Sequence, residues 1–137
     1  MQRNIQHQFT FSQQPEAVWE YLTNAELLAQ WLMPNDIKPA VGHQFQFKAR
    51  PIPKFGFDGI IHCEVLEVII YEKLVHSWKG GSLDSIVVWT LTPIHNGTVL
   101  TLEHKGFKGI RNLLPYIIMN RGWIKIGKKL IRQLNPA

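Results

Sequence analysis

The sequence predicts an α+β domain in which one curved antiparallel β-sheet wraps around a long C-terminal α-helix, with two short helices after the first strand. Three observations predict it. Hydrophobic side chains alternate with a period of two through much of the chain, the period changes to 3.6 near residue 112 and holds to residue 134, and turn residues, above all Asn96-Gly97, separate the alternating runs at hairpin spacing. At 137 residues the chain has the size of one domain, and its 45% hydrophobic and 18% charged residues suit a packed interior, so residues 1–137 are read as a single domain.

Ile5, His7, Phe9 and Phe11 alternate with Gln6, Gln8, Thr10 and Ser12, the pattern of a strand with one wet face. Pro15 suits a first helical turn, and Val18, Trp19 and Leu22 recur at helical spacing. Thr23-Asn24 offers a stop and a cap for a second helix that carries Leu27, Leu28 and Trp31 and ends before Pro34. After Gly42 a strand turns Phe45 and Phe47 to one face and Gln44, Gln46 and Lys48 to the other. The stretch Arg50-Pro-Ile-Pro-Lys-Phe-Gly-Phe57 lacks the amide donors for a full ladder and reads as a loop, whose Ile52, Phe55 and Phe57 must cover something.

Three strands follow, about Gly59 to Ile69, Lys73 to Lys79 and Asp84 to Thr92, with turns near Tyr71-Glu72 and at Gly80-Gly81; Asn96-Gly97 leads into a fourth, Thr98 to Lys105. A meander is the simplest topology. Alternation turns Leu74, His76 and Trp78 inward, together with Val87, Trp89 and Leu91 and with Leu100, Leu102 and His104, and leaves Val99, Thr101 and Glu103 outside. The strand holding His62, Cys63 and Val65 is apolar in both registers, so its faces stay open. From about Asn112 to Leu134, Tyr116, Met119, Trp123, Ile126, Leu130 and Leu134 line one side of a helix, and Arg121, Lys125, Lys128, Lys129 and Arg132 stand opposite. Pro115 is tolerated in its first turn, where the missing N–H is not needed.

Composition narrows the function. No apolar run approaches the ~18 residues that cross a bilayer, and the first residues lack the apolar core of a signal peptide, so a cytoplasmic location is expected. The single cysteine, Cys63, excludes an internal disulfide and reads as a small buried apolar residue. The net charge of +5 is lopsided: after Glu103 come eight Lys and Arg and no carboxylate, whereas the residues up to that point hold seven basic against ten acidic. Such a gradient marks a nucleic-acid or anionic-membrane surface, a surface for an acidic partner, or no more than a solvated helix face; without interleaved exposed aromatics it does not point to nucleic acid.

No nucleophile elbow, phosphate-cradling glycine loop, carboxylate pair or Cys-His pair occurs at a recognisable spacing, so no catalytic residue and no cofactor is assigned. His76 and His104 are the sharper feature, because polar groups facing an apolar core require partners. Hydrophobic matching of the hairpins places them on neighbouring rows two strands apart, flanking a ligand without touching. A zinc site would need a third donor from His7 or His62, and none is assigned.

Particular residues carry a resemblance. Pro15-Glu-Ala-Val-Trp19 leading to Trp31, the Gly42 strand with Phe45 and Phe47, Lys73-Leu-Val-His-Ser-Trp78, Trp89-Thr-Leu-Thr-Pro93, Gly97-Thr-Val-Leu-Thr-Leu-Glu-His-Lys-Gly-Phe107 and Gly122-Trp123 stand in an order found in one family. Together they resemble the activator of heat-shock protein 90 ATPase homologue family, within the START and Bet v 1-like (SRPBCC) superfamily, from about Gln8 to Leu134. The resemblance implies the helix-grip fold. For function it implies an apolar ligand held between sheet and helix, contact with a chaperone, or a polyketide cyclase or aromatase-like activity that relies on pocket shape.

The activator's separate chaperone-contacting N-terminal domain has no counterpart in these 137 residues. Gly127 stands one turn after Trp123, where similar members commonly carry Leu, and a missing side chain there would leave space inside the grip. The leading expectation is a monomeric module that binds a small hydrophobic or aromatic ligand. Its wall would comprise Phe45, Phe47, Phe57, His76, Trp78, Trp89, His104, Tyr116, Met119, Trp123 and Gly127, with the Pro51 to Phe57 loop as lid. The alternative is a co-chaperone-like module whose surface meets a chaperone or another acidic protein.

Overall fold

In a computed structural model that describes residues 2–109 and 112–134, the alternating runs become strands β1 (Gln2–Phe11), β2 (Gln44–Lys48), β3 (Ile60–Ile69), β4 (Lys73–Gly80), β5 (Leu83–Ile94) and β6 (Gly97–Lys108). The helices are α1 (Pro15–Thr23), α2 (Ala25–Ala29) and α3 (Leu113–Leu134). Every strand pair is antiparallel, and the spatial order is β1-β6-β5-β4-β3-β2. The expected meander therefore runs from β2 to β6, and β1 closes the far side of the curved sheet against β6.

The inward sets fall where alternation puts them: Leu74, His76, Trp78, Val87, Trp89, Leu91, Leu100, Leu102 and His104 are all buried. The ambiguous strand, β3, buries Ile61, Cys63 and Val65 and turns His62 and Glu64 outward. Its double apolar character has a local cause. A register shift between Val65 and Glu67 reverses the alternation, so Val65 and Val68 both face in, Leu66 and Glu67 both face out, and Ile69 and Ile70 end up exposed beyond them.

Two turns depend on left-handed residues that are not glycine, Tyr71 (φ 66°) and Asn96 (φ 67°). Gly97 is required for a different reason: a Cβ built there would lie 1.9 Å from the carbonyl oxygen of Phe11, so the close approach of β1 forbids any side chain. After β1, Asn24 terminates α1 and caps α2, accepting from the amides of Glu26 and Leu27 at 3.0 and 3.1 Å. α1 buries Val18, Trp19 and Leu22 and packs on β5 and β6.

α3 lies along β1 and against β6, burying Trp123, Gly127, Leu130 and Leu134 while Arg121, Lys125, Lys128, Lys129 and Arg132 face water. Its last turn is tethered by Gln13, whose Nε2 donates to the Leu134 carbonyl. The first half departs from the simple amphipathic reading. Tyr116 and Met119 are only half-buried, and Leu113, Leu114, Ile117 and Ile118 are exposed. Among the described residues, no helix is long and apolar enough to cross a membrane.

Candidate functional site: the gripped interior

Strand register builds the site. β4 pairs His76 with Val87 and β5 pairs Val87 with His104, so the two histidines occupy one row of the sheet, not the neighbouring rows expected from hydrophobic matching. One inward step along, Trp78 stands opposite Ser85; one step the other way, Leu74, Trp89 and Leu102 share a row. α3 lays Trp123 across this floor, and the indole touches Trp78, Trp89 and His104 with ring centroids 5.4, 5.6 and 5.9 Å away.

The polar atoms inside satisfy one another. Trp89 Nε1 donates to His76 Nε2 at 3.1 Å, and Trp123 Nε1 donates to His104 Nδ1 at 3.0 Å. An indole N–H can only donate, so each accepting nitrogen is unprotonated and the proton sits on the other. His76 Nδ1–H then donates to the Ser77 carbonyl at 3.0 Å. His104 Nε2–H donates to Ser85 Oγ at 2.8 Å, and Ser85 Oγ–H donates to the Trp78 carbonyl at 2.8 Å. Both rings are neutral. Burial pushes His76 down to about 4 from the ordinary 6.5, with the Ser77 hydrogen bond opposing weakly. Burial, followed by the charge His76 would carry, pushes His104 down to about 3.

This proton arrangement decides several chemical questions. A serine nucleophile needs a histidine nitrogen that accepts its hydrogen bond, whereas Ser85 accepts a hydrogen bond from His104 and donates its own to the Trp78 carbonyl. The Ser85–His104 pair is therefore wired in the inactive sense. All four ring nitrogens of His76 and His104 are occupied, His7 bonds Asn120 at 2.9 Å, and His62 lies on the outer face of the sheet beside Gln46, so the suggested zinc donors do not converge. Cys63 is buried, and burial, then the nearby Asp36 charge, raises its thiol to about 12, which keeps it protonated and unreactive.

Seven of the expected wall residues come together. Phe45, Phe47, His76, Trp78, Trp89, His104 and Trp123 form a continuous chain of ring contacts, with Phe45–Phe47 at 5.5 Å, Phe45–His76 at 5.4 Å, Phe47–Trp78 at 5.2 Å and Trp78–His104 at 5.3 Å. None is more than 2% exposed. A void of ligand size would leave accessible area on these rings, so in this state side chains fill the grip. Tyr116 sits at the rim, its ring 5.6 Å from Phe107 and covered on another side by the Arg3 guanidinium at 5.7 Å. Met119 is half-buried against the core. Phe57 is half-buried beside Gly80, where a Cβ would approach its ring to 3.2 Å, while Ile52 of the same loop is exposed.

Gly127 corrects one expectation. The space its missing side chain leaves is occupied by Phe9 of β1, whose ring would lie 2.0 Å from a Cβ at that position. Gly127 is thus a seat for an aromatic ring, which periodicity within either element cannot reveal. Ser85 and Phe107 join the interior beside the histidines without having been assigned to the wall, and Phe9, read as an apolar position of the first strand, had no place beside the last helix; the signal for Ser85 was its inward step in the Leu83, Val87, Trp89 alternation.

Open grooves lie on the other side of the sheet. One of about 530 Å³ is lined by Asp36, Gln44, Gln46, His62, Glu64 and Ser77 among others, and a second of about 450 Å³ shares His62 and Lys79 with it. Their linings are polar and wet, a poor match for an apolar molecule.

A curved antiparallel sheet closed on a C-terminal helix, with an aromatic interior and no free polar group among its histidines, defines a helix-grip protein of the START and Bet v 1-like class. The chain belongs to the family described as Activator of Hsp90 ATPase homolog 1-like protein, whose model matches residues 12–134. It is 35% identical to protein MLL2253 from Mesorhizobium loti, with 96% of each chain covered and a TM-score of 0.87. Protein BH1534 from Bacillus halodurans is 27% identical over 97% of each chain, with a TM-score of 0.80. The Aha1 dimer from Colwellia psychrerythraea is similar in fold, at 18% identity over 98% of this chain and 97% of that one, with a TM-score of 0.79. A comparison with curated proteins returned no match.

Proposed function

We propose that this protein binds a small, largely apolar or aromatic molecule against the aromatic wall of the grip, entering between the first half of α3 and the Pro51–Phe57 loop. The observation that carries the reading is the wall itself: Phe45, Phe47, Trp78, Trp89 and Trp123 surround two histidines whose nitrogens are already bonded, so a ligand meets ring surface and leaves no polar atom stranded. Covering roughly 200 Å² of apolar ligand surface there would contribute about 5 kcal/mol at 25 cal/mol per Å².

The route follows from how α3 is held. Its second half is anchored by Trp123, Leu130 and Leu134, whereas its first half seats the half-buried Tyr116 and Met119 on the sheet and adds the hydrogen bond between Asn120 and His7. Opening costs least where the fewest apolar groups leave their seats. Tyr116, Met119 and Phe57 are the side chains a ligand displaces.

Native mass spectrometry of freshly purified protein tests for a co-purifying molecule, and a lipid and aromatic-metabolite panel read at the indole N–H resonances of Trp78, Trp89 and Trp123 locates it. A bound ligand shifts Trp89 and Trp123, whose N–H groups bond the wall histidines. The family assignment favours one other reading, contact with a chaperone through the domain surface. Silent indole resonances together with a stoichiometric chaperone in a pull-down would move the function there.

A further inference from the structure

We infer that the outer side of α3 docks the protein on an anionic lipid surface, the first two turns entering the acyl boundary and the later turns lying over the headgroups. Leu113, Leu114, Ile117 and Ile118 are 36, 45, 38 and 47% exposed, and Ile124 is 42% exposed two turns further on. At 100° per residue Leu114, Ile117 and Ile118 share one side of the helix with Arg121, Lys125, Lys128 and Arg132, away from Trp123, Gly127 and Leu130, while Leu113 and Ile124 lie at the edge of that side. Along that side aliphatic residues come first and cations follow. Every formal charge on α3 is positive, and Lys108 adds another exposed cation just before it.

This sequence of groups selects the partner. Branched aliphatic side chains on a convex helix face, with no groove and no exposed aromatic among them, gain from partition into hydrocarbon, which requires no shape complementarity. The cations behind them complement anionic headgroups. An acidic protein would satisfy the charges and leave Leu114, Ile117 and Ile118 without a shaped counterpart. The inference does not depend on ligand binding, because it uses the side of α3 turned away from the grip.

Co-sedimentation of the full chain with vesicles of phosphatidylcholine, and of phosphatidylcholine and phosphatidylserine in equal amounts, tests it. Binding is expected to the phosphatidylserine vesicles and to fall steeply with salt. Ile117→Gln with Ile118→Gln should weaken it roughly ten-fold or more. Lys125→Gln with Lys128→Gln should weaken it about five-fold per charge. All four positions are exposed, and unchanged near-ultraviolet circular dichroism verifies the fold of both variants. Absence of vesicle binding overturns the inference, as does binding that the isoleucine pair leaves unchanged, which would be adsorption by charge alone. Self-association abolished by the isoleucine pair, without vesicle binding, would assign the face to a second copy. Binding to polyglutamate but not to vesicles would assign it to an acidic protein. Either result overturns the lipid assignment.

Discussion

His76 and His104 use all their ring nitrogens in hydrogen bonds, and in each ring one nitrogen accepts from an indole N–H, which only the neutral form can do; this ties stability to pH. An unfolded histidine takes up a proton near pH 6.5, while burial holds the folded rings at about 4 and about 3. Between those values the unfolded state binds more protons, so stability falls as pH falls and is fully regained above about pH 7. By pH 5 the loss should reach about 2 kcal/mol per histidine, read as a lower urea midpoint than at pH 7. An unchanged midpoint would mean that the rings are protonated or solvated in the folded state. At this scale alternation announced that both side chains face inward. It could not announce their partners, because Trp89, Trp123 and Ser85 meet them only through strand register and the rotation of α3 about its axis.

Elements meet at Gly127, where α3 rests on the Phe9 ring of β1. Gly127→Leu should therefore destabilise by about 1–3 kcal/mol through overpacking, with no gain in ligand exclusion. Combining it with Phe9→Ala should recover part of the loss, a coupling that a double-mutant cycle in urea measures. Independent, additive effects would show that the ring is seated elsewhere. Most element boundaries were legible, since Pro15, Asn24 and Asn96-Gly97 act within a turn of the chain. The bounds of β3 were legible too, but its faces were not, because the shift between Val65 and Glu67 is a property of its pairing with β4.

For the molecule as a whole, the grip is held unevenly. Amide exchange should be slowest in β4, β5 and β6 around Trp78, Val87 and Leu102, intermediate near Trp123 to Leu134, and fastest in α3 from residue 113 to 119, where the outer side chains are exposed and only Tyr116 and Met119 reach the sheet. Uniform protection along α3 would argue against entry of a ligand beside its first half. The family match over residues 12–134 agrees with a fold read from the elements and their order.

By itself the sequence determined the strands and helices, which side faces inward in all of the sheet but β3, though not what β1 touches, and the α+β grip they assemble, because alternation and the 3.6 period report burial over a few neighbouring residues. Only the tertiary structure decided that Phe9 fills the place beside Gly127, that two indoles satisfy two histidines, and that the first half of α3 leaves its aliphatic side uncovered. Each of these depends on which residues far apart in the chain come within contact distance, and no local period encodes that.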